Sequence, residues 1–320
     1  MIAFPHAKIN IGLHITGRRT DGYHEIETLM LPVSLCDALE IVEENPENED
    51  VFSHSGIAIP DNGQPNLCMQ AAKALRAAVS SQAVKMNQDG NASMAAGGMP
   101  ADTKFPQEIP PLKIHLHKRI PVGAGLGGGS SDAAFTLRMI QKMYGDGWKQ
   151  PEGTVKKPGL KPAGTDPAAL AGLAALLGSD CPFFLSDAPM LARGRGEILE
   201  PFSLPQLKGM HILLVVPPIH ISTAGAYADV RPVHPPIPLR ELLSHPIETW
   251  KENLANDFES VIFPREPAIR DIRDRLYEAG AVYASMSGSG SGVYGIFRLN
   301  PLQDLPVFPG CFVWSGQATP

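Results

Sequence analysis

Apolar and polar residues alternate at the start of the chain, which is the pattern of a half-buried β-strand. Residues 7–15 read Ala-Lys-Ile-Asn-Ile-Gly-Leu-His-Ile, and residues 24–33 form a second such segment after Asp21-Gly22. An Asp-Gly pair between two strand-like segments is typical of a turn. Further strands are predicted at 112–117, 212–216, 281–286 and 293–297, the last two as a hairpin joined by a Ser/Gly turn.

Helical spacing of apolar residues predicts helices at 66–79, 132–144, 165–178, 247–263 and 268–279. Asn66 is suited to cap the first helix, and Pro167 lies in the first turn of the third. Two segments without periodicity, 80–111 and 145–164, are rich in Gly and Pro and are predicted to be surface loops. Because strands and helices are mixed with few regular βαβ units, the predicted fold class is α+β with two lobes.

The strongest local signal is the glycine-rich segment 121–131, Pro-Val-Gly-Ala-Gly-Leu-Gly-Gly-Gly-Ser-Ser. Five glycines within seven residues let backbone N–H groups approach a phosphate closely. A predicted helix follows directly, and the positive end of its dipole favours an anion at the same place. The segment therefore predicts a phosphate-binding loop, in which Ser130 and Ser131 add hydroxyls that can reach a phosphate or a metal ion.

Three interpretations of this loop compete. A flexible linker is disfavoured, because linker glycines rarely lie between a strand and a helix. Gly123, Gly125 and Gly128 fit the G-x-G-x-x-G spacing of dinucleotide-binding proteins, but no acidic residue ends a second strand about 20 residues later, as that fold requires. The third interpretation is the phosphate loop of a kinase, and it remains. It is not a Walker loop, because the segment lacks Gly-Lys-Ser/Thr.

Composition and charge restrict the other classes. The chain has 320 residues, 43% hydrophobic and 19% charged, which is typical of a globular protein. Its formal net charge of -6 argues against nucleic acid as a partner, since phosphate backbones bind basic surfaces. The four cysteines form no CxxC pair, and neither a signal peptide nor a membrane-spanning run is visible. The cytoplasm is the predicted location, and a membrane is not an expected partner.

Three motifs resemble those of the GHMP family of small-molecule kinases, in the same order. The first comprises residues 7–10, Ala-Lys-Ile-Asn, and residues 17–24, Gly-Arg-Arg-Thr-Asp-Gly-Tyr-His. The second is the glycine-rich segment 121–131, and the third is residues 177–184, Leu-Gly-Ser-Asp-Cys-Pro-Phe-Phe. A Ser/Gly stretch at 285–292 is similar to the C-terminal motif of the family. The resemblance covers nearly the whole chain except the two predicted surface loops.

The resemblance implies an ATP-dependent kinase with two lobes. A lobe similar to ribosomal protein S5 is expected over 1–205, and a ferredoxin-like substrate lobe over 206–320. The doubled glycines and the Gly-Tyr-His signature resemble those of family members whose small-molecule substrate carries a cytidine diphosphate. The reaction implied is phosphorylation of the 2-hydroxyl of 4-diphosphocytidyl-2-C-methyl-D-erythritol, a step of non-mevalonate isoprenoid precursor synthesis.

Two residues are implied as catalytic. Asp180 lies between Gly178 and Pro182, at the position of the family's catalytic Asp. Taken without the resemblance, a solvated turn carboxylate is the more common interpretation of such an Asp. Lys8 lies on the first strand and is expected beside Asp180, where its charge would stabilise the alkoxide that develops on the substrate.

The resemblance also implies the residues that bind ligands. The ATP phosphates are expected on Pro121, Val122, Gly123, Ala124, Gly125, Leu126, Gly127, Gly128, Gly129, Ser130 and Ser131. The substrate is expected on Asn10, Tyr23, His24, Thr223 and Tyr227, with the tyrosine rings around the cytosine and His24 at its edge. Packing of Tyr227 on its own helix is the alternative. Mg2+ is expected to bridge the ATP phosphates, with a serine of the loop as one ligand and no dedicated protein metal site.

Some alternatives stay open at this point. Asp132 follows the loop where the family often has Asn, which adds an acidic side chain at the start of a helix. Another GHMP kinase, acting on homoserine, mevalonate or a sugar, is the first alternative function, although the Gly-Tyr-His signature argues against it. A nicotinamide-dependent oxidoreductase and a non-catalytic nucleotide sensor are the others.

Overall fold

The computed structural model describes residues 1–45, 47–61, 63–90, 109–144, 167–233, 235–301 and 307–318, with only the backbone described at 80–90 and 167–169. Its strands are β1 (Ile2–Ala3), β2 (His6–Arg18), β3 (His24–Cys36), β4 (Ala38–Glu43), β5 (Val51–Gly56), β6 (Leu112–Lys118), β7 (Met190–Gly194), β8 (Ile198–Pro201), β9 (His211–Val216), β10 (Tyr283–Met286), β11 (Val293–Phe297) and β12 (Phe312–Gln317). Its helices are α1 (Leu67–Gly90), α2 (Gly128–Tyr144), α3 (Pro167–Leu177), α4 (Thr223–Asp229), α5 (Leu239–Ser244), α6 (Trp250–Asn253), α7 (Glu259–Arg265) and α8 (Pro267–Glu278). Short 3₁₀ turns lie at Cys181–Leu185, Pro205–Leu207 and Ile247–Thr249.

The strands form three four-stranded sheets, with the orders β1-β4-β6-β5, β2-β3-β7-β8 and β10-β11-β9-β12. The second and third sheets are antiparallel throughout, and in the first sheet β5 pairs parallel with β6. Helices α1, α2 and α3 pack on one another beside the first sheet. The fold class is α+β, as the mixed pattern of the sequence predicted.

Three hydrophobic cores hold these layers together. The first joins the N-terminal β2 and β3 to the C-terminal sheet, with Ile9 and Leu31 packed in the same cluster as Ile212 and Tyr294. The second lies between the first sheet and helices α1 to α3. The third lies beneath α7 and α8 and also receives residues from the far half of β2, such as Ile15. Strand β2 serves two cores because its pairing with β3 shifts register between Ile11 and Leu13.

The long alternating segments were predicted well, since their pattern is local and strong. The two N-terminal strands, β6, β9 and the C-terminal hairpin are all present. The predicted helix 66–79 continues to Gly90, so the loop predicted from residue 80 was wrong over its first part. Residues 80–89 contain several good helix formers, which the emphasis on Gly and Pro overlooked. The rest of that predicted loop up to 108, and the loop 145–164, lie outside the described residues.

The helix predicted over 247–263 is broken in the middle. Its backbone between α6 and α7 pairs with β2 instead, because Leu13 donates to the carbonyl of Ala255 and accepts from the N–H of Asp257. Asn256 lies between these two contacts, and its side-chain oxygen accepts from the N–H of Phe258. This segment therefore joins the C-terminal lobe to the first long strand. In the part of the chain that the structure describes, no helix is long and apolar enough to cross a membrane.

Candidate active site

A cavity of about 780 Å³ lies between the two lobes. The N-terminal lobe contributes residues of β2, the glycine-rich loop before α2 and the turn after α3. The C-terminal lobe contributes α4 and the Ser/Gly turn between β10 and β11. All seven residues predicted as catalytic or substrate-binding line this cavity, namely Lys8, Asn10, Tyr23, His24, Asp180, Thr223 and Tyr227.

The Lys8 ammonium is held at the floor of the cavity by three acceptors. Its Nζ lies 2.5 Å from Oδ1 of Asn10, 3.0 Å from the carbonyl oxygen of Gly125 and 3.3 Å from Oδ2 of Asp180. Lys8 is 3% exposed, so its charge is shielded from bulk water on most sides. A cation held this firmly next to a carboxylate can stabilise negative charge that develops beside it.

Asp180 is positioned by the apolar residues that follow it. Helix α3 ends at Leu177, and Asp180 then precedes the 3₁₀ turn that begins at Cys181. Phe183 and Phe184 of that turn are completely buried and fix its place against the core. The carboxylate itself is not enclosed, since 30% of the Asp180 side chain is exposed. It is therefore accessible to a substrate while its backbone is fixed.

The glycine-rich loop is bound on both sides by neighbouring backbone. Gly125 has a φ of 74°, and a Cβ there would lie 2.0 Å from the carbonyl oxygen of Ser287. The Ser287 hydroxyl donates to the Gly125 carbonyl at 2.9 Å, and the N–H of Gly292 donates to the carbonyl of Ala124 at 3.1 Å. The two glycine loops of the sequence thus pack against each other, which brings the C-terminal motif to the cavity.

Asn10 and Asn256 hold this arrangement from beneath. Asn10 is 2% exposed, and its Nδ2 donates to the hydroxyl of Thr28 while its Oδ1 accepts from Lys8. Asn256 donates from Nδ2 to the carbonyls of Met286 and Gly288, which flank Ser287. Both ends of the Asn10 amide are therefore paired within the protein, although the residue also lines the cavity.

Aromatic side chains line another part of the cavity. The His24 ring stacks on the ring of Tyr227, with centroids 4.9 Å apart and an interplanar angle of 24°. Tyr227 in turn meets Phe258 edge to face at 4.8 Å. Tyr23 is 54% exposed, and the hydroxyl of Thr223 lies 3.2 Å from that of Ser289. The sequence prediction had placed His24 at the edge of a base between the two tyrosines, whereas in the structure His24 lies flat on Tyr227.

The electrostatics of these rings follow from burial and neighbouring charges. Burial and the nearby positive charge of Arg18 lower the pKa of His24, which favours the neutral imidazole. Burial and the charge of Asp180 raise the pKa of Tyr227 to about 12, so its hydroxyl stays protonated. A neutral imidazole and a protonated phenol present one donor and one acceptor each, which suits hydrogen bonding to an uncharged base.

Only part of the predicted phosphate loop faces this cavity. Gly123, Gly125 and Gly127 line it. The remaining predicted loop residues lie elsewhere: Ala124, Leu126, Gly128 and Ser131 are buried, Pro121 and Ser130 are partly exposed, and Val122 and Gly129 are exposed. The Ser131 hydroxyl is fully enclosed and has no hydrogen-bond partner among the described residues. Ser130, in the first turn of α2, is the serine whose side chain is accessible.

Asp132 is not a phosphate-facing charge. Its side chain is buried and accepts from Lys118 Nζ at 2.7 Å, and the same ammonium binds Asp37. The other oxygen of Asp37 accepts from the backbone N–H groups of Arg119 and Ile120, at the entrance to the glycine-rich loop. The acidic side chain that the sequence placed at the start of α2 is thus bound inside the protein.

Two charged residues that line the cavity were not among the predicted site residues. Arg18 ends β2, and Arg195 follows β7 in the sequence Gly-Arg-Gly. The carbon at the centre of the Arg195 guanidinium lies 4.8 Å from the centre of the Tyr23 ring. A charged residue between two glycines could have signalled a turn that presents a cation, but nothing local indicated which surface it faces.

Comparison with known proteins agrees with the motifs. Residues 99–154 match the N-terminal domain of GHMP kinases, and residues 239–305 match the C-terminal domain. A 4-diphosphocytidyl-2-C-methyl-D-erythritol kinase of Parabacteroides distasonis is 40% identical over 318 residues, covering 99% of both chains. The chain belongs to the GHMP kinase family. As a GHMP kinase it is an ATP-dependent small-molecule kinase, which argues against the oxidoreductase interpretation of the glycine-rich loop.

Solved structures of GHMP kinases agree with the fold. A crystal structure of 4-(cytidine 5'-diphospho)-2C-methyl-D-erythritol kinase is similar, with a TM-score of 0.63 and 31% identity, over 92% of this chain and 90% of that one. The mevalonate kinase of Methanococcus jannaschii has a TM-score of 0.60 at 14% identity, over 100% of this chain and 98% of that one. The second likeness shows the shared fold alone. The two-lobed α+β architecture of the GHMP kinases is confirmed.

Proposed function

We propose that this chain transfers the γ-phosphoryl group of ATP to the 2-hydroxyl of 4-diphosphocytidyl-2-C-methyl-D-erythritol. The observation that carries the proposal is the ion pair of Lys8 and Asp180, which shares one cavity with Tyr23, His24 and Tyr227. The named relatives supply the identity of the alcohol. The rings suit its cytosine, since stacking a base on an aromatic side chain contributes about 1–3 kcal/mol.

In the proposed reaction, Asp180 takes the proton of the acceptor hydroxyl while that oxygen bonds to the γ-phosphorus of ATP. The bond from this phosphorus to the bridging oxygen of the β-phosphate breaks, and ADP leaves with its electron pair. Lys8 would stabilise the developing charge on the acceptor oxygen, and the amide of Asn10 would hold Lys8 in place. Backbone N–H groups of residues 123–131 and the start of α2 would bind the ATP phosphates.

Mg2+ is the proposed cofactor, bound mainly by the phosphates of ATP. Among the described residues, no group of three or more His, Cys, Asp or Glu side chains could hold a metal ion. The accessible hydroxyl of Ser130 and the carboxylate of Asp180 are oxygen donors of the kind that Mg2+ prefers, so the residues fit a metal shared with the nucleotide. When bound, the ion would neutralise charge on the transferring phosphates.

The test is ADP release by purified protein with ATP, Mg2+ and the cytidine diphosphate substrate. Asp180→Asn should lower turnover by about 10²–10⁴-fold, the usual contribution of a general base. Asp187→Asn is the matched control, because Asp187 follows the same 3₁₀ turn but binds Arg138 outside the cavity. Wild-type turnover of mevalonate or homoserine without turnover of the cytidine compound would overturn the substrate. Full activity of Asp180→Asn would overturn the role of Asp180.

A further inference from the structure

Arg195 connects the two parts of the cavity that the proposed function uses. Its guanidinium lies over the ring of Tyr23, with 4.8 Å between the central carbon and the ring centroid. Its neighbour Gly196 lies beside the proposed base, since a Cβ at that glycine would be 3.6 Å from Oδ1 of Asp180. The segment of Arg195 and Gly196 therefore lies between the reacting carboxylate and Tyr23, one of the aromatic residues proposed to bind the base.

Glu197 fixes the position of Arg195 and also forms an ion pair with it. Glu197 accepts from the backbone N–H of Arg195 at 2.6 Å, while the shortest distance between the two charged groups is 3.6 Å. Arg18 supplies a second cation to the same cavity. Within the described residues Arg18 has no carboxylate partner within 4.0 Å, whereas the adjacent Arg19 is paired with Asp21 and Glu25.

The cavity is consequently basic in an acidic protein. Its charged lining residues are three cations, Lys8, Arg18 and Arg195, against one carboxylate, Asp180, which leaves two positive charges when His24 is neutral. The whole chain has a formal net charge of -6. A concentration of positive charge in one cleft attracts an anionic ligand and raises its local concentration. Lys8 is paired with Asp180 at 3.3 Å and Arg195 with Glu197 at 3.6 Å, but Glu197 does not line the cavity, so the two arginines supply the excess positive charge of the lining.

We propose that Arg195, assisted by Arg18, binds the diphosphate of the substrate and makes the enzyme specific for a nucleoside diphosphate-linked alcohol. This inference rests on the proposed function. A base on Tyr23 and Tyr227 and a hydroxyl at Asp180 require the diphosphate to pass between them, where Arg195 lies. A guanidinium is suited to this role because its planar array of N–H groups matches phosphate oxygens in pairs.

The test compares the binding of CDP and of cytidine by calorimetry. Arg195→Met should weaken CDP binding by about 10- to 100-fold, the loss expected for charge-assisted hydrogen bonds, and leave cytidine binding within about twofold. Methionine removes the charge but keeps an apolar side chain of similar length beside the ring of Tyr23, so the surroundings of that ring change little. Arg195→Lys should recover part of the CDP affinity, because it restores the charge but not the paired geometry. In turnover, Arg195→Met should raise KM for the substrate with little change in kcat.

Arg193→Met is the matched control. Arg193 lies two residues earlier on β7, pairs with Glu200 at the surface and does not line the cavity. The substitution removes the same charge two residues away, outside the cavity, so it should change neither CDP nor cytidine binding. Thermal unfolding of both variants checks that each is folded.

Two failures can be told apart. If wild-type protein binds CDP and turns over the cytidine substrate, but Arg195→Met does both equally well, the role of Arg195 is overturned and the proposed function stands. An equal loss of cytidine and CDP binding in Arg195→Met would also overturn it, since the residue would then act only on the base site. If wild-type protein phosphorylates another alcohol and binds no CDP, the proposed function fails and the diphosphate site fails with it.

Discussion

Asp132 is a buried acid whose protonation is coupled to folding. Burial raises the pKa of its carboxyl to about 8, against the opposing effect of Lys118 and with the support of nearby Asp37. Burial alone would lower the pKa of Lys118, but the two carboxylates outweigh it and raise that pKa. An unfolded Asp has a pKa of about 3.9. Between these values the folded chain binds a proton that the unfolded chain does not, so this residue's contribution to stability is lost as pH rises from about 4 to about 8.

Asp132→Asn should remove this pH dependence. The amide is neutral at every pH. The free energy of unfolding of the variant minus that of the wild type should therefore increase as pH rises, by up to about 1.4 kcal/mol per pH unit. Urea unfolding at about pH 5 and about pH 7 measures the difference. Asp271→Asn, on the exposed surface of α8, should show no such trend. A constant offset between Asp132→Asn and wild type across this range would contradict the assigned titration.

The contacts of individual site residues could not be predicted from the sequence. The third motif singled out Asp180, and the first singled out Lys8, but their 3.3 Å contact depends on how α3 and β2 are packed. Lys118 and Asp37 are 81 residues apart, and nothing in either local segment indicates that they meet inside the protein. The sequence therefore showed Asp132 only as an acidic side chain at the start of a helix, directly after the glycine-rich loop. Whether a side chain such as that of Asp132 is buried depends on residues that are distant in sequence. The local sequence pattern does not show which residues these are.

The two glycine loops act as one structural element. The carbonyl oxygen of Gly125 accepts from both Lys8 Nζ and the Ser287 hydroxyl, so this one peptide joins the proposed catalytic lysine to the C-terminal turn. Gly125→Ala should separate the loops, because the added Cβ would lie 2.0 Å from a carbonyl oxygen at a φ of 74°. We expect the free energy of unfolding to fall by about 1–3 kcal/mol. We also expect kcat to fall, because the same peptide positions Lys8. Thermal unfolding and ADP release measure the two effects.

Gly172→Ala is the control for that substitution. Gly172 lies within α3, is exposed and has no atom within 4 Å of an added Cβ. Alanine is favoured over glycine inside a helix, so this variant should be up to about 1 kcal/mol more stable and fully active. An active Gly125→Ala with unchanged melting would show that the loops do not depend on close packing.

Elements were predictable where their signal lay within one segment. Strands β2, β3, β6 and β9 alternate or are strongly apolar, and α2 follows a glycine loop, so each could be recognised alone. Strands β4, β5, β7, β8 and β12 were missed because they are short and carry exposed polar residues, and their pairing in the sheets stabilises them. The break between α6 and α7 arises from pairing with β2, which a helical pattern over 247–263 cannot reveal.

At the scale of the whole molecule, the two lobes share a core. We propose a boundary between lobes 1–205 and 206–320, yet the first core contains residues from both sides of it. Ile9 and Leu31 pack in one cluster with Ile212, and the Tyr294 hydroxyl donates to the carbonyl of Asn10 at 2.8 Å. A domain that folds alone has its own closed core. The cleft between these lobes is therefore lined by elements whose relative position is set by shared hydrophobic packing.

This shared core predicts that the lobes unfold together. A fragment of residues 1–205 would expose the face of β2 and β3 that Ile212, Leu214 and Tyr294 cover, and an exposed apolar sheet face favours aggregation. We expect the full chain to unfold in one calorimetric transition whose measured and van't Hoff enthalpies agree. We expect the fragment to lack a cooperative transition. Two separate transitions in the full chain, or a fragment that melts cooperatively, would contradict this, because either result requires the N-terminal sheet to be stable without the C-terminal sheet against it.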